Sequence, residues 1–178
     1  MPRVPYVSDS DAGPADLVAE IRARRGGKLL NLDRMLLASP PLARGWNAHL
    51  GAVRSGLSLE ARLRELAICA VAVLNGAPYE LEHHLPLYRE AGGSERAAEA
   101  LRSFETGDPA FDGAERAVLA LTVEMTREVS VSDATFRRAR SELPGEREIV
   151  ELVAVIATYN MVSRFLVALG IETEGPGR

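Results

Sequence analysis

The segment from residue 65 to residue 91 limits the fold of this chain more than any other. Its first half, residues 66–74, is an apolar run closed by Asn75 and Gly76, which tolerate the left-handed conformation in which helices often end. Pro78 follows where a new helix can begin, since proline fits the first turn of a helix. The pattern predicts two helices joined by a tight turn.

The second helix of this hairpin carries the residues best suited to chemistry. Glu80 and His84 are four positions apart and so lie on one face, one turn from each other. His84 falls at the edge of an apolar stripe and should be partly buried, whereas His83 projects from nearly the opposite side and should be solvated. Glu65 lies on the first helix, in a segment apolar enough to be buried on every side, so its carboxylate needs a partner.

Antiparallel packing of the two helices would bring Glu65 close to the level of His84. The axial offset is roughly 5 Å at a rise of 1.5 Å per residue, which a long side chain or one water could bridge. Three small residues beside Glu65, Glu80 and His84 could leave room for a ligand: Cys69, Ala72 and Ala77. Carboxylates around an imidazole suit general acid-base catalysis near neutral pH, but a buried polar network that only satisfies itself has the same spacing.

A metal site is a weaker interpretation of the same cluster. Glu80 and His84 could supply two ligands, but the other histidines are His49 and the solvated His83, and Cys69 is the lone cysteine. A full zinc ligand set is hard to assemble from these residues, so no metal site is predicted.

Three runs surround these residues: Leu63-Arg64-Glu65-Leu66-Ala67-Ile68, Asn75-Gly76-Ala77-Pro78-Tyr79-Glu80, and His84-Leu85-Pro86-Leu87 with Arg89-Glu90-Ala91-Gly92. Together they resemble the carboxymuconolactone decarboxylase family of the AhpD-like superfamily. The resemblance is strongest over about residues 58–101.

In the peroxidase branch of that superfamily, a C-x-x-C-x-x-x-H motif and a glutamate twelve residues before its first cysteine carry the redox chemistry. In this sequence the cysteine positions fall on Ala77 and Glu80, the histidine on His84 and the glutamate on Glu65. The missing thiols argue against thiol peroxidase activity, because the thiolate is the nucleophile. The remaining Glu and His are similar to the decarboxylase branch.

The resemblance implies an AhpD-like helical bundle and decarboxylation of a small lactone or organic acid in aromatic-compound breakdown. His84 would donate or shuttle the proton, Glu65 would orient it, and Glu80 would be a second acid-base group or press on the substrate carboxylate. Cys69 and Tyr79 would contact the substrate. No cofactor is needed, because the lactone carbonyl is itself the electron sink.

Two other functions remain open. One is a cofactor-free isomerase, hydrolase or lyase acting on another activated carbonyl compound. The other is a non-catalytic oligomeric binding or stress protein, in which Glu65 and His84 merely satisfy one another.

The last long helix, about residues 146–169, carries Asn160, Ser163 and Arg164 on one side of an apolar run. A buried guanidinium is costly unless it is paired. Arg164 could anchor a substrate carboxylate through a bidentate fork. Pairing with a carboxylate of the protein is favoured, because those carboxylates are the nearest supply.

No β-strand pattern competes with helices elsewhere, so an all-α fold is predicted. Further helices are expected at about residues 15–25, 28–39, 41–53, 94–104, 114–127 and 132–142, with Ser58, Ser94 and either Ser132 or Asp133 as N-caps. Trp46 and His49 share one side of the third of these helices, where a core or interface role is favoured over catalysis.

Four regions are predicted along the chain. Residues 1–13 form an extended arm, 14–57 a helical extension, 58–172 the carboxymuconolactone decarboxylase/AhpD-like domain and 173–178 a flexible tail. The excess of apolar helix face predicts a homo-oligomer, and the family resemblance is consistent with a trimer or a hexamer.

The resemblance implies a small-molecule substrate and further copies of the chain as partners, and composition argues against nucleic acid. With 47% hydrophobic residues, 26% charged residues and a net charge of -4, nothing favours nucleic acid. No uninterrupted apolar segment has the length of a membrane span, and the N-terminus has no apolar signal core. A single cysteine precludes an internal disulfide, which favours a cytoplasmic location.

Overall fold

The computed structural model describes residues 1–102 and 107–175, and throughout these ranges the regular elements are helices. The predicted all-α fold is confirmed. After a short 3-10 turn at Asp9–Asp11, the helices are α1 (Ala15–Arg24), α2 (Asn31–Leu36), α3 (Pro40–Ser55), α4 (Ala61–Leu74), α5 (Pro78–Glu90), α6 (Glu95–Ala100), α7 (Gly113–Arg127), α8 (Asp133–Ser141) and α9 (Glu146–Leu169).

The chain forms two compact units, the first made of residues 1–56 and the chain from Leu166 onward. In this unit α3 packs against α1 and α2. Trp46 is buried in its core, whereas His49 is exposed on α3. The backbone N–H of Asn31 donates to Glu174 over 2.7 Å, which ties the start of α2 to the C-terminal segment of the same unit.

The second unit, residues 57–165, is built around α4, which packs against α5 and α7. The predicted hairpin is present. Gly76 adopts a φ of 62°, a conformation that glycine reaches without steric cost, and the N–H of Ala77 donates back to the carbonyl of Ala72 over 2.8 Å. Pro78 occupies the first turn of α5, as the sequence predicts.

Helix α9 has the bounds that the sequence predicts. By length and composition alone it could cross a membrane. Its polar side chains argue for a core helix instead, because Ser163 donates to Glu80 on α5 and Asn160 donates to Thr126 on α7.

Helix ends follow the predicted caps in two of three cases. The Ser94 and Ser132 hydroxyls accept the N–H groups of Ala97 and Thr135. The prediction for Ser58 is wrong: α4 begins at Ala61, and the Ser58 hydroxyl donates to Glu148 over 2.9 Å. Helix α6 ends at residue 100, and the predicted end at residue 104 lies outside the described residues.

Candidate functional site

Glu65 on α4 and His84 on α5 contact each other directly in the second unit. Oε2 of Glu65 lies 2.6 Å from Nδ1 of His84. The two residues are 3% and 2% exposed, so this contact is shielded from water. The prediction that His84 is only partly buried is wrong, because α9 covers the imidazole through Tyr159.

The protonation of Glu65 follows from its neighbours. Burial raises the pKa of this carboxyl, but the hydrogen bond and charge of His84, and then of Arg64, outweigh burial and hold the pKa below its ordinary value. Glu65 is therefore a carboxylate that accepts the Nδ1–H of His84. In a neutral imidazole, Nε2 then carries the lone pair.

Tyr159 of α9 also contacts His84, and sequence reasoning missed this candidate site residue. Its hydroxyl lies 3.3 Å from Nε2 of His84, and the two rings meet edge to face with centroids 5.0 Å apart. Tyr159 is fully buried. The available signal was its position four residues before Ser163, which places both polar groups on one face of α9.

Glu80 of α5 lies on the same face as His84 and is 2% exposed. The Ser163 hydroxyl lies 3.1 and 3.2 Å from its two carboxylate oxygens and 2.8 Å from the carbonyl oxygen of Tyr159. Helix α9 thus holds Glu80 through Ser163 and reaches His84 through Tyr159. The three predicted catalytic residues come together in a buried cluster that α9 completes.

Cys69 and Tyr79 were predicted to contact substrate, and both are buried. Burial raises the pKa of the Cys69 thiol, and the nearby charges of Glu65 and Glu80 raise it further. This thiol is therefore protonated at neutral pH and a poor nucleophile.

Tyr79 stacks on His83, with ring centroids 4.4 Å apart and planes inclined by 26°. Nδ1 of His83 also lies 2.7 Å from the carbonyl oxygen of Tyr79. The prediction that His83 is solvated is therefore wrong: this packing leaves the imidazole half-buried. Substrate contact by Tyr79 stays a prediction.

Arg164 is exposed on α9, although it shares one side of that helix with the buried Asn160 and Ser163. Its guanidinium donates to the backbone oxygen and to Oδ1 of Asn160, over 2.9 and 2.6 Å. Asn160 in turn accepts from Asn75, at the end of α4, over 3.1 Å. Arg164 therefore supports the contact between α9 and the hairpin turn, and its predicted role as a substrate anchor stays a prediction.

Across residues 1–102 and 107–175, no three His, Cys, Asp or Glu side chains are grouped closely enough to hold a metal ion.

Comparisons with known proteins agree with this architecture. The profile of the carboxymuconolactone decarboxylase family matches residues 40–124, which confirms the resemblance drawn from the hairpin motif. No curated protein matches the chain.

Solved structures share the fold at low sequence identity. A peroxidase-related protein from Silicibacter sp. TM1040 has a TM-score of 0.79 and 21% identity, covering 98% of this chain and 95% of its own. An AhpD-core peroxidase-related protein from Ralstonia eutropha JMP134 has a TM-score of 0.82 and 19% identity, covering 98% and 93%. A variant of debrominase Bmp8 bound to 2,3,4-tribromopyrrole has a TM-score of 0.80 and 19% identity, covering 97% and 91%. These likenesses establish the fold alone.

Proposed function

From its likeness to the carboxymuconolactone decarboxylase family, we propose that this chain is a cofactor-free acid-base enzyme acting on a small lactone or organic acid. The observation that carries the proposal is the buried series Glu65, His84, Tyr159, with contacts of 2.6 and 3.3 Å. A carboxylate that fixes the tautomer of a histidine, with a hydroxyl at the other ring nitrogen, is suited to moving a proton.

The proposed reaction is loss of carbon dioxide from an unsaturated lactone in aromatic-compound breakdown. The bond between the substrate carbon and its carboxylate breaks, and the electron pair enters the conjugated lactone carbonyl as an enolate. A proton is then added to the remote carbon. Protonated His84 supplies it through the Tyr159 hydroxyl, while the Glu65 carboxylate stabilises the imidazolium before transfer.

Glu80 acts on the carboxylate that leaves. A charged Glu80 beside the substrate carboxylate raises the energy of the ground state, and this repulsion disappears when neutral carbon dioxide forms. Ser163 holds Glu80 in place for this role through contacts of 3.1 and 3.2 Å.

Small residues around the cluster bear on the size of the proposed substrate. Small side chains at Cys69, Ala72 and Ala77 favour a compact substrate. The tribromopyrrole in the debrominase complex is a small heteroaromatic compound, which supports the same size class. Because Ala77 and Glu80 replace both thiols of the peroxidase motif, no thiol chemistry is proposed.

Self-association and a cytoplasmic location are part of the proposal. Val150, Ala157 and Met161 lie on one exposed side of α9, where Val150 is 67% exposed. An exposed apolar stripe of this kind favours association of like chains, and the family resemblance is consistent with a trimer or a hexamer.

The experiment that tests the proposal is decarboxylation of carboxymuconolactone, followed by the loss of lactone absorbance. Wild type should turn over, and His84→Ala and Glu65→Gln should each lose at least about 100-fold in rate, as expected for an acid-base group. His49→Ala is the matched control, because His49 is exposed on α3 and belongs to the first unit.

Each other result has a definite meaning. No turnover by folded wild-type protein would reject this substrate in favour of other lactones and β-keto acids. Undiminished turnover in His84→Ala would reject the proposed site. If no activated carbonyl compound is consumed and both substitutions only lower stability, the cluster is a satisfied polar network and the non-catalytic alternative holds.

A further inference from the structure

An open cavity of about 270 Å³ lies at the turn between α4 and α5. Its side-chain lining consists of Ala72, Val73, Ala77, Pro78, Leu81 and Arg102. Its walls are therefore apolar, apart from one guanidinium. Its volume is close to the lower end of the range for small-molecule sites.

Two alanines that line this cavity lie one helical turn from residues near the buried cluster. Ala72 follows Cys69 by three residues on one face of α4, and Ala77 precedes Glu80 by three residues on α5. Ala72 and Ala77 are 1% and 2% exposed. These two buried alanines place the cavity beside the helix turns that carry Cys69 and Glu80.

Arg102 is the cation of this cavity. Its backbone N–H donates to Glu99 over 3.0 Å, which fixes the chain just after α6. In the part of the chain that the structure describes, its guanidinium has no hydrogen-bonded carboxylate. The charge of Glu95 is within range, but Glu95 is held by Arg89 over 2.7 Å. Arg102 is therefore an exposed, charged residue on the wall of the cavity.

We propose that Arg102 binds the carboxylate of a small unsaturated or aromatic acid whose apolar body fills this cavity. A guanidinium recognises a carboxylate through two parallel hydrogen bonds, and apolar walls suit a planar ring. The carboxylate held by Arg102 is the one that stays on the substrate, because this pairing stabilises the charge that decarboxylation must remove. The substrate's other end, which carries the carboxylate that is lost, would extend past Ala77 towards the cluster. This placement rests on the proposed function.

Binding of benzoate, measured by calorimetry and by backbone amide shifts, tests the proposal. Wild type should bind benzoate saturably, with the largest shifts at Val73, Gly76 and Ala77. Arg102→Gln should raise the Kd about tenfold or more, as expected for loss of a charge-assisted hydrogen bond. Arg102→Lys should fall between the two, because ammonium lacks the fork.

Two controls isolate the charge. Arg96→Gln removes an exposed arginine from the neighbouring α6 and should leave the Kd unchanged. Benzamide, which has the same ring without the charge, should bind wild type more weakly and should not respond to Arg102→Gln. Absence of saturable benzoate binding, shifts elsewhere, or an equal Kd in Arg102→Gln would overturn the proposal.

Failure of this inference can be distinguished from failure of the proposed function. His84→Ala should bind benzoate as wild type does, since His84 does not line the cavity. Benzoate binding without turnover of any substrate would uphold the carboxylate site and reject the acid-base role. Turnover without benzoate binding would reject the carboxylate site at Arg102 and uphold the acid-base role of the cluster.

Discussion

The hydroxyl of Tyr159 lies 3.3 Å from Nε2 of His84, while the Glu65 carboxylate lies 2.6 Å from Nδ1. The imidazole thus bridges two helices that are far apart in sequence. It has a permanent acceptor on one nitrogen and a proton-carrying group near the other.

Tyr159→Phe should show whether the Tyr159 hydroxyl contributes to catalysis as well as to stability. Loss of the buried hydroxyl should lower the free energy of unfolding by about 1 kcal/mol and kcat by about 100-fold. Tyr88→Phe is the matched control, because Tyr88 is also fully buried and its hydroxyl donates to Glu115 over 2.6 Å. Denaturant unfolding and turnover are measured on both. An equal fall in kcat for the two variants would remove Tyr159 from the relay.

Glu65 should make stability depend on pH in the acid range. Its pKa in the folded chain is below the ordinary 4.5, so the unfolded chain binds more protons there. The stabilisation is complete above pH 4.5 and is lost as the pH falls below it towards the folded pKa. Glu65→Gln should therefore flatten the fall in unfolding free energy below pH 4.5, measured by urea titration. Glu82→Gln, at an exposed position of α5, should not, and an unchanged slope in Glu65→Gln would contradict the assignment.

Ser163→Ala should destabilise the second unit. The hydroxyl contacts both oxygens of the buried Glu80, and loss of a hydrogen bond to such a group costs about 1–3 kcal/mol. Ser141→Ala is the control, since its exposed hydroxyl donates to its own helix over 2.8 Å, and its effect should stay within about 0.5 kcal/mol. Chemical denaturation at neutral pH measures both, and equal effects would show that Ser163 does not support Glu80.

Cys69 should be inert in the folded protein. It is fully buried and its thiol pKa is raised by burial and by the charges of Glu65 and Glu80. Ellman's reagent should release no colour from native protein at neutral pH, and one equivalent in denaturant. Ser141→Cys adds an exposed thiol to the same chain and should react at once. Rapid native reaction of wild type would contradict the burial of Cys69.

The sequence was sufficient to predict the hairpin and the contact between Glu65 and His84. Both depend on local rules: helix periodicity, a glycine after α4 and a proline at the start of α5. The bounds of α9 follow from its apolar length for the same reason.

Tyr159 could not be recognised in this way. A tyrosine in an apolar helix is most simply a core residue, and its contact with His84 joins positions 75 residues apart. Burial of His83 was missed for a related reason, since stacking on Tyr79 depends on packing and not on helix angle alone. Ser58 was misplaced because the carboxylates of α9 compete for its hydroxyl.

Tyr159 and Ser163 both lie in the last helix, so the buried cluster can be completed only late in synthesis of the chain. A nascent chain that has completed α4 and α5 already contains Glu65, Glu80 and His84, but neither hydroxyl. The cluster is assembled only when α9 has emerged and docked. Premature release before residue 159 would therefore yield a fragment that contains Glu65, Glu80 and His84 but lacks the hydroxyls of Tyr159 and Ser163.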